Sequence, residues 1–253
     1  MATATSILTP ALLASIRKQP NLPRNTWYFI TATTLSALNR PDELPRVLKH
    51  ATEGGPDIVE ATPGRDERLC ISRRLREALI KASAVGGMPR TINALLALKT
   101  ATPEDLLDAT ASNTSSRFKD LHEVPSSQVL ERGQDFFNQV YGKIARRVMG
   151  QMDRSGAEDL GLIARLMYGY VLSNTDVLSP VETSFVLIAS LIPQDVNPQL
   201  KGHLRGALNG GASVDEVRAV RDMVMKICEA SGMKRLDEDA PGGWGWRSEV
   251  ASV

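Results

Sequence analysis

Between Val177 and Ala230 apolar residues recur every three or four positions, interrupted only by capping residues and glycine turns. Ser179-Pro180-Val181-Glu182 reads as an N-cap, a proline at the first helical position and a capping-box glutamate. Val181, Phe185, Ile188 and Ile192 then follow on one face. Asn197-Pro198 opens a second helix carrying Leu200, Leu204, Ala207 and Leu208, and Asn209-Gly210-Gly211 ends it, since glycine tolerates the left-handed conformation of a helix terminus. Ser213-Val214-Asp215-Glu216 is a second capping box, with Val217, Val220, Val224 and Ile227 behind it.

The same grammar recurs upstream. Thr26 to Leu38 is mostly apolar, Pro41-Asp42-Glu43 starts a helix through His50, and Arg73 to Val85 places Leu75, Leu79 and Ala82 on one side. Gly86-Gly87 and Pro89 break that helix before Ile92, Leu95 and Leu96 resume the stripe, and Thr102-Pro103-Glu104-Asp105 resembles another N-cap. Ser112 to Ser127 is polar and serine-rich, the composition of a linker or exposed loop. A long helix is predicted over Gln128 to Gly150, with Leu130, Phe137, Val140, Ile144 and Val148 inward. Another is predicted over Ala157 to Leu172, with Leu160, Ile163, Met167 and Tyr170 inward. Lys234 to Val253 reads as an irregular tail docked by Trp244 and Trp246. Strand signals are scarce, so the fold class is all-α.

Apolar residues are 42% and charged residues 23% of 253, enough for one sizeable core or two small ones. Thirty basic against 29 acidic residues leave a net charge of +1, which gives no reason to expect nucleic acid as a partner. No apolar run approaches the roughly 18 to 20 residues of a membrane span. Cys70 and Cys228 are two isolated cysteines, read as reduced, largely buried thiols; they suit neither a disulfide framework nor a metal site. That argues for an intracellular compartment, the cytoplasm ahead of the mitochondrion. The N-terminus holds Arg17, Lys18 and Arg24 and no acid before Asp42, a weak presequence look. The terminal Ser-Glu-Val-Ala-Ser-Val is not a peroxisomal Ser-Lys-Leu type signal.

His203 borders the apolar stripe of its helix, away from Lys201 and Arg205, so spacing alone also fits a satisfied core histidine. Glu182 is equally a capping device. Both gain meaning from a resemblance. Glu182-Thr-Ser-Phe-Val-Leu-Ile-Ala-Ser-Leu, followed by Gln199-Leu-Lys-Gly-His203-Leu-Arg-Gly-Ala-Leu-Asn209-Gly-Gly-Ala-Ser213-Val-Asp-Glu216-Val, resembles the carboxymuconolactone decarboxylase family from Ser179 to Cys228. Tyr141-Gly142 and Tyr168-Gly169-Tyr170 fit the preceding helices of two-lobed members. The alkylhydroperoxidase D-like branch carries a Cys-x-x-Cys ahead of the histidine; here those positions are Val196 and Gln199, which excludes a dithiol at this site. The resemblance therefore implies the decarboxylase branch, with no cofactor and no metal.

The expected fold is a helical bundle of two related lobes, alkylhydroperoxidase D-like. An extension (1–19) would precede a degenerate helical lobe (20–111), a linker (112–127), the family-like lobe (128–233) and the tail (234–253). Ala37-Leu38-Asn39 before Pro41-Asp42-Glu43-Leu44 echoes Ala207-Leu208-Asn209 before Val214-Asp215-Glu216-Val217, and in the first lobe Ile92 or Asn93 stands where the histidine would be. Glu182 and His203 would relay a proton in cofactor-free decarboxylation or isomerisation of a carboxylated lactone or similar enolisable acid. Tyr141, Tyr168, Tyr170 and Gln199 would line the substrate cleft, with Arg165 or Lys143 as the anchoring cation. The alternative is a non-catalytic binding or assembly protein derived from the alkylhydroperoxidase-like family. Self-association is implied by resemblance to trimeric and hexameric relatives.

Overall fold

The computed structural model describes residues 6–53, 63–108, 115–237 and 242–253. Two helices without an exposed face lie at its centre. The first, α2 (Trp27–Ala37; α1 is Pro10–Arg17), has every residue buried and no charged side chain. Its hydroxyls need partners there, and Thr31 and Thr34 donate back to the carbonyls of Trp27 (2.7 Å) and Ile30 (2.9 Å). A short 3₁₀ turn leads into α3 (Leu44–Glu53), then α4 (Arg65–Gly86) and α5 (Met88–Ala101).

The second half continues with α6 (Ser116–His122), α7 (Ser126–Tyr141), α8 (Ala145–Met152) and α9 (Asp159–Leu166), which runs into a π-helical segment, Met167–Leu172. Then come α10 (Pro180–Leu191), α11 (Asn197–Asn209) and α12 (Val214–Ala230). From Thr183 onward α10 is buried throughout, and it packs against α2, α4, α11 and α12. One core therefore takes side chains from both halves, Phe29, Leu35, Leu75 and Leu79 beside Phe185, Ile188, Val220 and Val224. A smaller cluster holds Phe136, Phe137, Val140, Met149, Tyr168, Leu172 and Leu187. Both capping boxes form as spaced, Ser179 with Glu182 and Ser213 with Glu216.

Several expectations change. Within the serine-rich stretch, 112–114 lie outside the described residues, but Ser116–His122 is helical, and its Arg117 and Asp120 make ion pairs with α4 and α7. The long helix from Gln128 is broken at Gly142, whose φ of 53° belongs to the left-handed region. Thr102-Pro103 opens only a 3₁₀ turn, Glu104–Leu106. Cys70 is exposed, while Cys228 is buried as expected. Of the two tryptophans it is Trp246 that docks, donating its ring N–H to the Ile192 carbonyl (2.8 Å), while Trp244 stays half exposed. Arg221 binds the carbonyls of Val250 and Ala251, and two strands of two residues each, β1 (Lys234–Arg235) and β2 (Gly245–Trp246), pair in parallel.

The largest departure concerns which way apolar stripes face. Leu160, Ile163 and Met167, expected inward, are 48%, 51% and 36% exposed, and Ile92 and Leu96 on α5 are likewise exposed. Gly161 is instead the buried residue of α9.

Glycine permits the tightest helix contact. A Cβ on Gly133 of α7 would sit 2.5 Å from the backbone of Gly169 in the π-helical segment, with no flexible side chain to yield. Gly133→Ala is expected to destabilise the protein by about 1–3 kcal/mol in chemical denaturation, the cost of overpacking a rigid contact; an unchanged midpoint would show that the two backbones are free to separate.

Candidate functional site

Glu182 sits in the first turn of α10 because the capping box fixes it there. One carboxylate oxygen accepts the Ser179 backbone N–H at 2.9 Å. The other accepts from the guanidinium of Arg74 on α4. Arg74 also donates to the Asn25 carbonyl (3.0 Å) and lies over the rings of Phe29 (5.2 Å) and Tyr28 (5.9 Å). Both partners are more than four-fifths buried, so this pair ties α4 to α10 beneath the entrance to α2. Burial pushes the Tyr28 phenol well above its ordinary value, with Arg74 opposing.

His203 occupies the inner face of α11, 4% exposed. Its Nε2 lies 3.5 Å from the Tyr141 hydroxyl of α7, a long contact, and its Nδ1 is buried without a hydrogen-bond partner. Phe137 packs against both Tyr141 and Tyr168, tilted on the first and edge-to-face with the second, with ring centroids 4.5 and 4.8 Å away. Gly202 lets α11 come up to the Tyr141 ring, and Gly206 lets it meet Val140. Burial alone drives the His203 pKa down to about 4, and burial raises both tyrosines.

Among the described residues no hydrogen bond joins Glu182 to His203. The structure brings together His203, Tyr141 and Tyr168, and it gives Glu182 to Arg74. Gln199 is exposed one turn earlier on α11, and Tyr170 is half-buried in the π-helical segment. Arg165 is engaged bidentately by Asp153 (2.6 and 2.9 Å), and Lys143 is exposed. A cavity of about 410 Å³ lies elsewhere, between α12 and the tail, bordered by Arg221, Met225, Met233 and Trp246. Among the described residues no cluster of three or more histidine, cysteine or acidic side chains is placed to hold a metal, and no helix is long and apolar enough to cross a membrane.

Sequence reasoning missed a second charged assembly. Lys81 of α4 is fully buried and donates to the carbonyls of Leu172 (2.7 Å) and Asn174 (2.6 Å). Arg117 pairs bidentately with Glu77 and reaches the Val171 carbonyl (2.8 Å), and Arg132 pairs with Asp120 and with Ser173. Three cations thus gather at the end of the π-helical segment, where the ordinary helical ladder is broken and carbonyls need donors. Desolvation lowers the Lys81 pKa to about 8. A lysine shortly before the Gly86-Gly87 break carries no pattern that marks it as buried.

No family model matches the chain. It is 36% identical over 208 residues to Peroxisomal protein 2 of Schizosaccharomyces pombe, covering 82% of this chain and 87% of that one. The chain belongs to the Peroxisomal protein 2 family. It is also 29% identical over 254 aligned positions to Peroxisomal protein 2 of Saccharomyces cerevisiae, covering 83% and 90%. The similarity runs through more than four-fifths of the chain, so it is not confined to the segment from Ser179 to Cys228.

A histidine held neutral by burial makes stability depend on pH. Its folded pKa of about 4 lies below the unfolded value of 6.5. The unfolded state therefore binds the extra proton first, and stability is full above pH 6.5 and falls as pH drops towards 4. The loss is on the order of 3 kcal/mol if the whole shift is expressed. Denaturant titrations across that window should show this loss in the wild type and a smaller one in His203→Gln; parallel pH profiles would place the titration elsewhere.

Proposed function

We propose that this chain is a non-catalytic binding or assembly protein, derived from the carboxymuconolactone decarboxylase and alkylhydroperoxidase D-like helical frame. The observation that carries this reading is the separation of the two residues a proton relay would need. Glu182 is committed to Arg74 and to its own cap, and His203 faces tyrosines in a sealed interior. A general acid or base works best with a pKa near the working pH and within hydrogen-bond reach of substrate. A histidine at about 4 with 4% exposure meets neither condition.

The two-lobed origin has support in the order of elements. Each half has a buried helix, α2 or α10, then a residue at positive φ (Asn39 at 54°, Asp195 at 56°), and then two further helices, α3 and α4 or α11 and α12. That register pairs α2 with α10, whereas the residue echo pairs the end of α2 with the end of α11. On this reading the lobes span 20–111 and 128–233. Their names place the relatives in peroxisomes, and we propose that compartment here ahead of the cytoplasm or mitochondrion.

The test is an NMR titration of His203 with and without Glu182→Gln. The expected outcome is a pKa near 4 in both proteins, accompanied by a stability loss of about 3 kcal/mol or more in the variant, because Arg74 is left without its buried partner. A His203 pKa between about 6 and 7 that falls when the carboxylate is removed, together with CO2 release from a lactone acid, would overturn the proposal and restore the decarboxylase.

A further inference from the structure

Helix α9 is amphipathic the wrong way round for a helix of an isolated chain. At 3.6 residues per turn Leu160, Met167, Ile163, Leu166 and Leu162 cover an arc of about 160°. All five are exposed, between 36% and 54%. The opposite arc, which packs on the protein, carries Gly161, Ala164 and Arg165, the last tied to Asp153. Small and charged residues thus face inward and large apolar ones face water. Ile144, just before α8, is exposed as well. These six side chains present on the order of 500 Å² of apolar surface, within the 300–600 Å² at which the largest patch of a monomer is often functional.

Charge at the border favours one kind of occupant. Lys143, Arg146 and Arg147 lie on the α8 side, and Glu158 and Asp159 stand at the start of α9, all of them exposed. A border with both signs is self-complementary about a twofold axis, where a surface built for anionic lipid would carry cations alone. With that border included, the face approaches the roughly 800 Å² per partner of a standard stable interface.

We propose that the outer face of α9 is where two copies of this chain pair, α9 against α9 and antiparallel, the acidic start of each helix meeting the basic side of its partner. This rests on the assembly reading given under Proposed function and names its surface. Ile163 lies at the centre of the contact, and Leu162 and Leu166 supply much of the buried area.

Sedimentation of the full chain at micromolar concentration tests it. The wild type is expected at twice the 27.5 kDa chain mass. The double variant Leu162→Glu, Leu166→Glu is expected at the single mass with an unchanged far-UV circular dichroism spectrum and an unfolding temperature that no longer depends on protein concentration, since both side chains are exposed on the single chain. Reversing Glu158 and Asp159 to lysine should weaken the dimer at least about tenfold, and adding Arg146→Glu and Arg147→Glu should restore it. Because a variant can fail to fold, amide exchange of the wild type is the second measurement: protection over 159–167 is expected to rise with protein concentration. A dimer that survives the double variant, or exchange over 159–167 that ignores concentration, overturns this face while leaving the assembly reading standing. A wild-type monomer overturns it too, and one that binds phosphatidylserine vesicles shows that the face meets a membrane. Recovery of lactone-acid turnover would overturn the assembly reading itself, whatever the sedimentation result.

Discussion

Everything in this fold is arranged around two helices that water never reaches. Neither α2 nor the body of α10 has a polar stripe, so each must be covered on all sides, and they cover one another first. Burial of side chains such as Phe29, Ile30, Leu35, Phe185 and Ile188 is worth about 1.5–3 kcal/mol each relative to exposure. That term sets where α4, α11 and α12 must lie. Some of the polar atoms carried into the centre are satisfied locally, by the back-bonds of Thr31 and Thr34 and the ion pair between Arg74 and Glu182 at the entrance, whereas the buried hydroxyls of Thr33 and Ser190 have no hydrogen-bond partner.

Around that centre, Glu182 and His203 belong to two different seams. Glu182 fastens α10 to α4, and His203 fills the seam between α11 and α7 opposite Tyr141. A carboxylate that neutralises a partly buried arginine is costly to remove, and a neutral histidine in an apolar seam is costly to protonate. Both costs favour retention of the same residues that a proton relay would use, without any chemistry between them. Peroxisomal protein 2 relatives match the chain along more than four-fifths of its length, far more than the span of one motif.

Much of this is legible in the residues, and the reasons for the rest are physical. The capping boxes at Ser179 and Ser213 are readable because a cap is a local device whose donors and acceptors lie three residues apart. The all-α class follows from the same local grammar. The partner of Glu182 is not readable: Arg73, Arg74 and Arg76 look alike in sequence, and only the crossing of α4 with α10 selects Arg74. Lys81 is invisible for the same reason, since a buried lysine is legible only once the carbonyls of Leu172 and Asn174 are in place around it. Ile92 and Leu96 of α5 and the stripe of α9 face the opposite way from the expectation. Periodicity reports that a face is apolar, not whether its own chain covers it.

Deuterium exchange at the Cε1 position of the three histidines, followed by mass spectrometry across about pH 4 to 8, tests the central claim most directly. His122 is exposed and serves as the reference within the same protein. With His203 sealed between α7 and α11, its exchange is expected to be slow, with no inflection between about pH 6 and 7. Exchange as fast as that of His122, with an inflection in that range, would contradict the claim and show an imidazole that meets solvent and titrates as a working acid or base.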